Sequence, residues 1–174
     1  MTKWNYLNKY YFLKKILNIN GDKMEKIKVG IVGYGTIGKR VADAVLLQED
    51  MELVGVVGRT YNYKLEIASK RGIPIYALNK IEDIKHNGVN ISGTVDELLN
   101  KVDIVVDCSP KPNGAKNIEK LYKPAGVKAI IQGGEKAAGA EISFVAQCNY
   151  KDSLNKDYVR VVSCNTTAMC RTLH

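Results

Sequence analysis

Three glycines stand at the spacing G-x-G-x-x-G directly after a short apolar run, IKVGIV at 27–32. They are Gly33, Gly35 and Gly38. At these three positions glycine permits, in order, a tight turn, the close approach of a pyrophosphate, and close packing of a helix on a strand. The free N–H groups of Thr36 and Ile37 would face an anion at the positive end of that helix. These residues predict a phosphate-binding turn.

The flanking segments supply the elements that such a turn needs. The run 27–32 is a continuous β-rich stretch, as in a parallel strand that is buried on both faces. The helix after the turn, KRVADAVLLQ, is predicted to carry one apolar stripe, formed by Ile37, Val41, Ala44, Val45 and Gln48. A second strand at 51–57 completes a βαβ unit of about thirty residues, which is the context that the dinucleotide-binding motif requires.

The end of the second strand bears on the choice of dinucleotide. A site that prefers NAD usually places Asp or Glu there, to bind the ribose hydroxyls. This chain instead has Arg59 and Thr60, which can bind a 2′-phosphate through a planar guanidinium and a hydroxyl. We therefore expect both NADP and NAD as cofactors. The alternative is that Arg59 is a solvated loop residue.

Further strands are predicted at 101–108 and 129–131. A helix is predicted at 94–100, directly before the first of them, with Thr94 as its cap and Glu97 completing a capping box. The alternation predicts an α/β fold with a doubly wound, mostly parallel sheet of the Rossmann type. The carboxyl ends of these strands lie where such a sheet binds its ligand.

Cys164 is the candidate nucleophile. It lies between a predicted strand at 157–163 and a helix, and a thiol at a helix amino terminus is favoured as the reactive thiolate. Cys170 lies deeper in that helix and is predicted to be structural. None of the four cysteines forms a C-x-x-C pair, which argues against disulfides and against a zinc site, and favours a reducing cytoplasm.

Composition excludes several classes of protein. With 45% apolar and 25% charged residues, the chain of 174 residues is expected to fold as an ordinary globular domain. Neither nucleic-acid nor membrane partners are predicted for residues 24–174. Much of the net charge of +8 lies in a leader at 1–23, which has five Lys and one Asp and is rich in aromatic residues. Two interpretations of this leader remain open. It is either a basic amphipathic helix that binds a membrane or a partner, or an upstream stretch that is disordered or not native.

Four segments together resemble one enzyme family. They are GYGTIGKR at 33–40, VADAV at 41–45, QGGEK at 132–136 and SCNTTAMCRTL at 163–173. They are similar to the archaeal type of phosphorylating glyceraldehyde-3-phosphate dehydrogenase, from about residue 27 onward. The resemblance implies that a cysteine thiolate attacks the aldehyde, that hydride passes to nicotinamide, and that inorganic phosphate cleaves the thioester to give 1,3-bisphosphoglycerate.

The resemblance also implies residue roles. Cys164 matches the nucleophile, Ser163 and Asn165 match its substrate-contacting neighbours, and Gly134 matches a glycine beside the cofactor. The full-length family is a homotetramer. Two departures stand out: Val57-Gly58-Arg59 replaces a common Ser-Lys-Thr, and Ala137–Ala140 replaces a segment that often holds His and acidic residues.

The family continues for a substrate domain with its general-base histidine and phosphate-binding arginines. We therefore expect a leader at 1–23, a dinucleotide-binding domain at 24–163, and at 164–174 the start of a catalytic domain whose remainder is absent. This predicts a truncated or split gene product with impaired turnover. Two other functions remain open, a non-catalytic NADP-binding module and an interaction protein that acts through its leader.

Overall fold

The described residues form one sheet of eight strands. A computed structural model describes residues 25–78, 81–132 and 139–173, so the leader at 1–23, Gly134 and His174 lie outside the described residues. The strands are β1 Ile27–Val32, β2 Met51–Gly58, β3 Ile75–Ala77, β4 Gly93–Thr94, β5 Ile104–Asp107, β6 Lys128–Ile131, β7 Ile142–Phe144 and β8 Tyr158–Val161. Their order is β4-β3-β2-β1-β5-β6-β8-β7, and all neighbouring pairs are parallel.

Helices connect the strands. They are α1 Thr36–Leu46, α2 Tyr63–Lys70, α3 Ile81–His86, α4 Val95–Leu99, α5 Asn113–Asn117, α6 Lys123–Ala125, α7 Ala146–Asn149 and α8 Cys164–Leu173. A π-helical turn, Ile118–Tyr122, joins α5 to α6, and a 3₁₀ turn, Tyr150–Ser153, follows α7. None of the helices in the described part of the chain is long and apolar enough to span a bilayer.

The core has two layers, one on each face of the sheet. On one face, Val29 and Ile31 of β1 pack with Leu65 of α2 and other buried apolar side chains of α1 and α3. On the other face, Val105 of β5 packs with Leu98 of α4 and with the π-helical turn. Burial on both faces explains why the central strands are continuous apolar runs rather than alternating ones. The predicted doubly wound α/β fold is confirmed.

The strand order reverses next to β1. From β1 the chain builds outward through β2, β3 and β4, and then returns to place β5 on the other side of β1. In open α/β sheets, the crevice beyond the carboxyl ends of the strands at such a reversal is where ligands bind. The loops after β1 and β5, which begin at Gly33 and Cys108, therefore border the expected binding crevice.

The predicted stripe lies along one side of α1, but most of it does not pack on the sheet. The buried residues of this helix are Gly38, Ala42 and Val45, whereas Ile37 is 47% exposed. All five residues of the stripe, with Met51 of β2, line an open, mostly apolar groove of about 660 Å³. The helix has apolar side chains on more than one side, so the spacing did not single out the face that packs on the sheet.

Three helix ends are defined by individual residues. Thr94 caps α4 as predicted, since its hydroxyl accepts a hydrogen bond from the N–H of Glu97 at 3.3 Å. His86 is the last residue of α3. The last helix begins at Cys164, and Ser163 caps it.

Candidate active site

Two of the three glycines in the turn lie so close to other backbone atoms that a side chain would not fit. Gly33 has a φ of +89°, and a Cβ there would lie 2.9 Å from the backbone nitrogen of Ser109 in the loop after β5. A Cβ at Gly38 would overlap the carbonyl oxygen of Gly33. The first and third glycines therefore allow the left-handed turn and bring α1 close against β1.

Gly35 is different, because its surroundings are open. A Cβ there would meet no heavy atom within 4 Å, and its φ of −91° is an ordinary one. It is the residue before α1, and it supplies no side-chain cap. The first N–H groups of a helix, here including those of Thr36 and Ile37, have no intrahelical acceptor. Both residues are exposed. A pyrophosphate fits this turn, with open space at Gly35 and unpaired donors beside it.

The end of β2 borders the same turn. Arg59 and Thr60 follow Gly58 and are exposed, and among the described residues Arg59 forms no ion pair. Gly58 is buried, and a Cβ there would overlap Cδ1 of Leu65. The glycine at this departure from the family pattern therefore lets α2 pack closely against the end of β2.

Lys64 is a residue that the sequence analysis missed. Its ammonium donates a hydrogen bond to the hydroxyl of Thr36 at 2.9 Å, across from α2 to the start of α1. Asn62 caps α2, because its side chain accepts hydrogen bonds from the N–H groups of Lys64 and Leu65 at 3.0 and 3.2 Å. The available signal was Asn62, a preferred N-cap residue, which would have placed Lys64 in the first turn of a helix after β2.

A buried carboxylate organises the loop after β5. Asp107 is fully buried and accepts hydrogen bonds from the Ser109 N–H at 2.8 Å, from the Asn117 amide at 2.8 Å and from the Tyr122 hydroxyl at 2.6 Å. Burial, followed by the charge of Asp107, raises the pKa of Tyr122, so this hydroxyl remains a donor. The signal for Asp107 was an acidic residue inside an otherwise apolar run.

Cys164 begins α8, directly after β8. Its residue is exposed, and its sulfur lies 3.8 Å from Oδ1 of Asn165. Ser163 caps the helix: its hydroxyl accepts from the Thr166 N–H at 3.3 Å and lies 2.9 Å from the Thr166 hydroxyl. The structure thus presents the thiol at the amino end of a ten-residue helix, where anions are stabilised.

The other cysteines lie in different surroundings. Burial, with a smaller contribution from the charge of Asp107, raises the pKa of Cys108 to about 12. Desolvation raises the pKa of Cys148, whose sulfur lies 3.9 Å from the carbonyl oxygen of Cys170. All four cysteines are free. Across the described residues, no cluster of three or more His, Cys, Asp or Glu side chains could hold a metal ion.

The glycine turn and the thiol lie at the same edge of the sheet. Because all strands are parallel, the turn after β1 and the start of α8 after β8 both follow carboxyl strand ends. Two strands, β5 and β6, separate them, so three strand spacings place them about 14 Å apart along the sheet. The structure therefore groups Gly33–Gly38 with Arg59, Thr60 and Lys64, and sets Cys164 to one side.

This fold with its glycine turn is that of an NAD(P)-binding Rossmann domain. A family model described as "Dihydrodipicolinate reductase, N-terminus" matches residues 27–147, and the chain belongs to this family. The match begins at β1 and ends before β8 and Cys164.

Curated relatives are similar to most of the chain. The chain is 55% identical over 150 residues to a glyceraldehyde-3-phosphate dehydrogenase of Thermococcus kodakarensis, and 56% identical over 151 residues to one of Pyrococcus furiosus. These alignments cover 85% and 86% of this chain, and 45% of each relative, so the chain spans about half the length of the curated relatives it matches. The resemblance to the amino-terminal portion of the archaeal-type enzymes is confirmed.

Solved structures include apo scyllo-inositol dehydrogenase from Lactobacillus casei. The two chains are 22% identical, and the match covers 69% of this chain and 31% of the chain of that dehydrogenase, with a TM-score of 0.49.

Proposed function

We propose that this chain supplies the dinucleotide-binding part and the thiol-bearing helix of a phosphorylating glyceraldehyde-3-phosphate dehydrogenase. One observation carries the proposal: the glycine turn at 33–38 and the Cys164 helix follow carboxyl ends of the same parallel sheet. The relatives' printed names support the choice of reaction. The free cysteines support a reducing, cytoplasmic setting.

The cofactor side of the site is built from backbone donors and basic side chains. The N–H groups of Thr36 and Ile37 hold the pyrophosphate, and the open space at Gly35 admits it. In NADP, Arg59 and Thr60 bind the 2′-phosphate of the adenosine ribose. Gly33 and Gly38 keep α1 against β1, and Gly134 is proposed to lie beside the cofactor. When bound, the nicotinamide accepts a hydride.

The chemical side of the site is built around the thiol. Cys164 as thiolate adds to the carbonyl carbon of glyceraldehyde 3-phosphate, and loss of hydride from the adduct leaves a thioester on the same sulfur. Inorganic phosphate then cleaves the thioester, which releases 1,3-bisphosphoglycerate and restores the thiolate. Ser163 shapes this site by capping α8, and Asn165 presents its amide beside the sulfur.

The domain division follows from these roles. We propose that residues 24–163 form the dinucleotide-binding domain, and that 164–174 begin the catalytic part, with 1–23 as a separate leader. Complete turnover is proposed to require the length of the relatives that this chain does not span. The groups that bind the substrate phosphate, and the general base, are proposed to lie in the part of the relatives that this chain does not span.

A chimera tests the activity. Residues 25–173 are joined to the remaining length of the Thermococcus kodakarensis relative, and phosphate-dependent formation of NADPH from glyceraldehyde 3-phosphate is measured. We expect turnover that the Cys164→Ser chimera lacks and the Cys148→Ser chimera retains. The proposal would be overturned by a folded chimera that shows no turnover, or by a Cys164→Ser chimera that retains turnover.

Calorimetry tests the cofactor assignment on the chain itself. Arg59→Ala is expected to weaken NADP binding by about 1.5 to 3 kcal/mol, the scale of a hydrogen bond to a charged group, and to leave NAD nearly unchanged. Arg40→Ala, which removes an exposed guanidinium from α1, is the matched control. Equal losses for both dinucleotides in Arg59→Ala would remove Arg59 from the 2′-phosphate site.

A second candidate function is an NADP-binding module without turnover. It is favoured by the position of His86, the one histidine among the described residues, which ends α3 between β3 and β4. These strands form the opposite end of the sheet from β8. If the chimera binds NADP but does not turn over, this function is the better account.

A further inference from the structure

The strongest unassigned feature is the ammonium of Lys64 beside the glycine turn. Lys64 belongs to α2, the helix that follows β2, yet its Nζ lies 2.9 Å from the hydroxyl of Thr36 at the start of α1. It therefore bridges the gap between the β2 end, where a ribose is recognised, and the helix end that faces a pyrophosphate.

The placement of this side chain is fixed from both ends. The side chain of Asn62 caps α2 and accepts a hydrogen bond from the Lys64 N–H at 3.0 Å. The next residue, Leu65, is fully buried against Gly58. At the far end of α2, Arg71 forms a 2.8 Å salt bridge with Asp43 of α1. Helices α1 and α2 are thus joined at two points, and the first of these places the Lys64 ammonium at the start of α1.

The ammonium has no carboxylate partner within the described ranges. The only acidic residue of α1, Asp43, pairs with Arg71, and the only one of α2, Glu66, accepts from Lys70 at 2.7 Å and from Tyr61 at 3.0 Å. The first turn of α1 contains no acidic residue. Cations are disfavoured at the positive end of a helix, so this lysine stands where an anion would stabilise both charges.

We propose that Lys64 is a specificity-determining residue for NADP, whose ammonium binds the 2′-phosphate of the adenosine ribose together with Arg59. The inference rests on the proposed dinucleotide-binding function. The Lys64 side chain approaches from the β2 side of the turn, which is the ribose side. The Thr36 hydroxyl holds the ammonium in place before the phosphate arrives, so less side-chain freedom is lost on binding.

This placement also accounts for the glycine at position 58. A side chain there would displace Leu65 and with it the start of α2. With Gly58 at the strand end, α2 comes close enough for Lys64 to reach Thr36. The basic group thus comes from the helix after the strand rather than from position 58 itself.

Calorimetry on the full chain tests the proposal with four ligands: NADP, NAD, adenosine 2′,5′-bisphosphate and adenosine 5′-monophosphate. Lys64→Met should weaken NADP and the bisphosphate by about tenfold or more, as expected for loss of a charge-assisted hydrogen bond. It should change NAD and the monophosphate by less than about twofold. Lys64→Arg should retain most of the NADP affinity, since it keeps the charge.

Lys120→Met is the matched control, because Lys120 is an exposed lysine in the π-helical turn on the other face of the sheet. It should leave all four affinities unchanged, and thermal melts should show that both Met variants fold. Unchanged NADP affinity in Lys64→Met, or equal losses for NADP and NAD, would overturn the role of Lys64 while leaving the dinucleotide site intact. If the unmodified chain binds neither dinucleotide, the proposed function itself fails.

Discussion

At the scale of single residues, the three glycines of the turn serve different purposes. Gly33 and Gly38 are required by the protein itself, because added side chains would meet backbone atoms. Gly35 faces open space and has an ordinary φ. Nothing in the folded chain therefore requires glycine at position 35, and the space it leaves is available to a ligand.

Gly35→Val should abolish dinucleotide binding while the domain stays folded. The new side chain would occupy the space that the pyrophosphate needs, and its Cβ would meet no heavy atom of the protein within 4 Å. Calorimetry with NADP and NAD measures the binding, and circular dichroism with a thermal melt measures the fold. Gly35→Ala should give a smaller loss of affinity. Unchanged affinity in Gly35→Val would contradict the placement of the pyrophosphate.

The cysteines offer a second residue-scale prediction. Iodoacetamide should modify Cys164 in the native chain and should spare Cys108 near neutral pH. Cys164 is exposed at the start of α8, whereas burial raises the pKa of Cys108 to about 12, which leaves almost no thiolate. Peptide mass spectrometry identifies the modified sites, and denaturant should make Cys108 reactive. Selective labelling of Cys108 in the native state would contradict this account.

At the scale of elements, the π-helical turn explains how two side chains from one segment both donate hydrogen bonds to the Asp107 carboxylate. Asn117 and Tyr122 are five residues apart and both donate to Asp107. In a regular α-helix, side chains five apart point in directions that differ by about 140°. The wider turn at Ile118–Tyr122 brings both onto one side, so Asp107 can fix the loop that lies against Gly33.

Tyr122→Phe should lower the free energy of unfolding by about 1.5 to 3 kcal/mol, because it removes a hydrogen bond to a buried charged group. Urea denaturation at neutral pH measures the change. Tyr150→Phe is the matched control: Tyr150 is 49% exposed, so its loss of a hydroxyl should cost less than about 0.5 kcal/mol. If both variants lose the same stability, the Asp107 network does not contribute as described.

The elements also show what sequence patterns can and cannot predict. The β1–turn–α1–β2 unit was predictable, since buried parallel strands are continuous apolar runs and the motif has a fixed spacing. The approach of Lys64 to Thr36 was not, because it depends on Leu65 packing against Gly58 across two elements. The groove beside α1 was missed for a related reason: periodicity identifies apolar faces but not which one packs on the sheet.

At the scale of the whole molecule, sheet order separates the thiol from the described histidine. His86 follows β3, and five strand spacings, about 24 Å, separate β3 from β8. The helix that ends at His86 also returns from the carboxyl toward the amino ends of the strands, away from the edge where Cys164 lies. His86 therefore has no route to serve as a general base for Cys164.

The 174-residue polypeptide on its own should thus bind NADP but should not reduce it measurably with glyceraldehyde 3-phosphate. Loss of a general base typically costs about 10² to 10⁴ in rate, and the described residues place no histidine near the thiol. NADPH fluorescence, with and without inorganic phosphate, measures turnover. Adding the remaining length of a relative as a second polypeptide should restore activity, and Cys164→Ser should abolish what is restored. Robust phosphate-dependent NADPH formation by the 174 residues alone would show that the base lies within this chain.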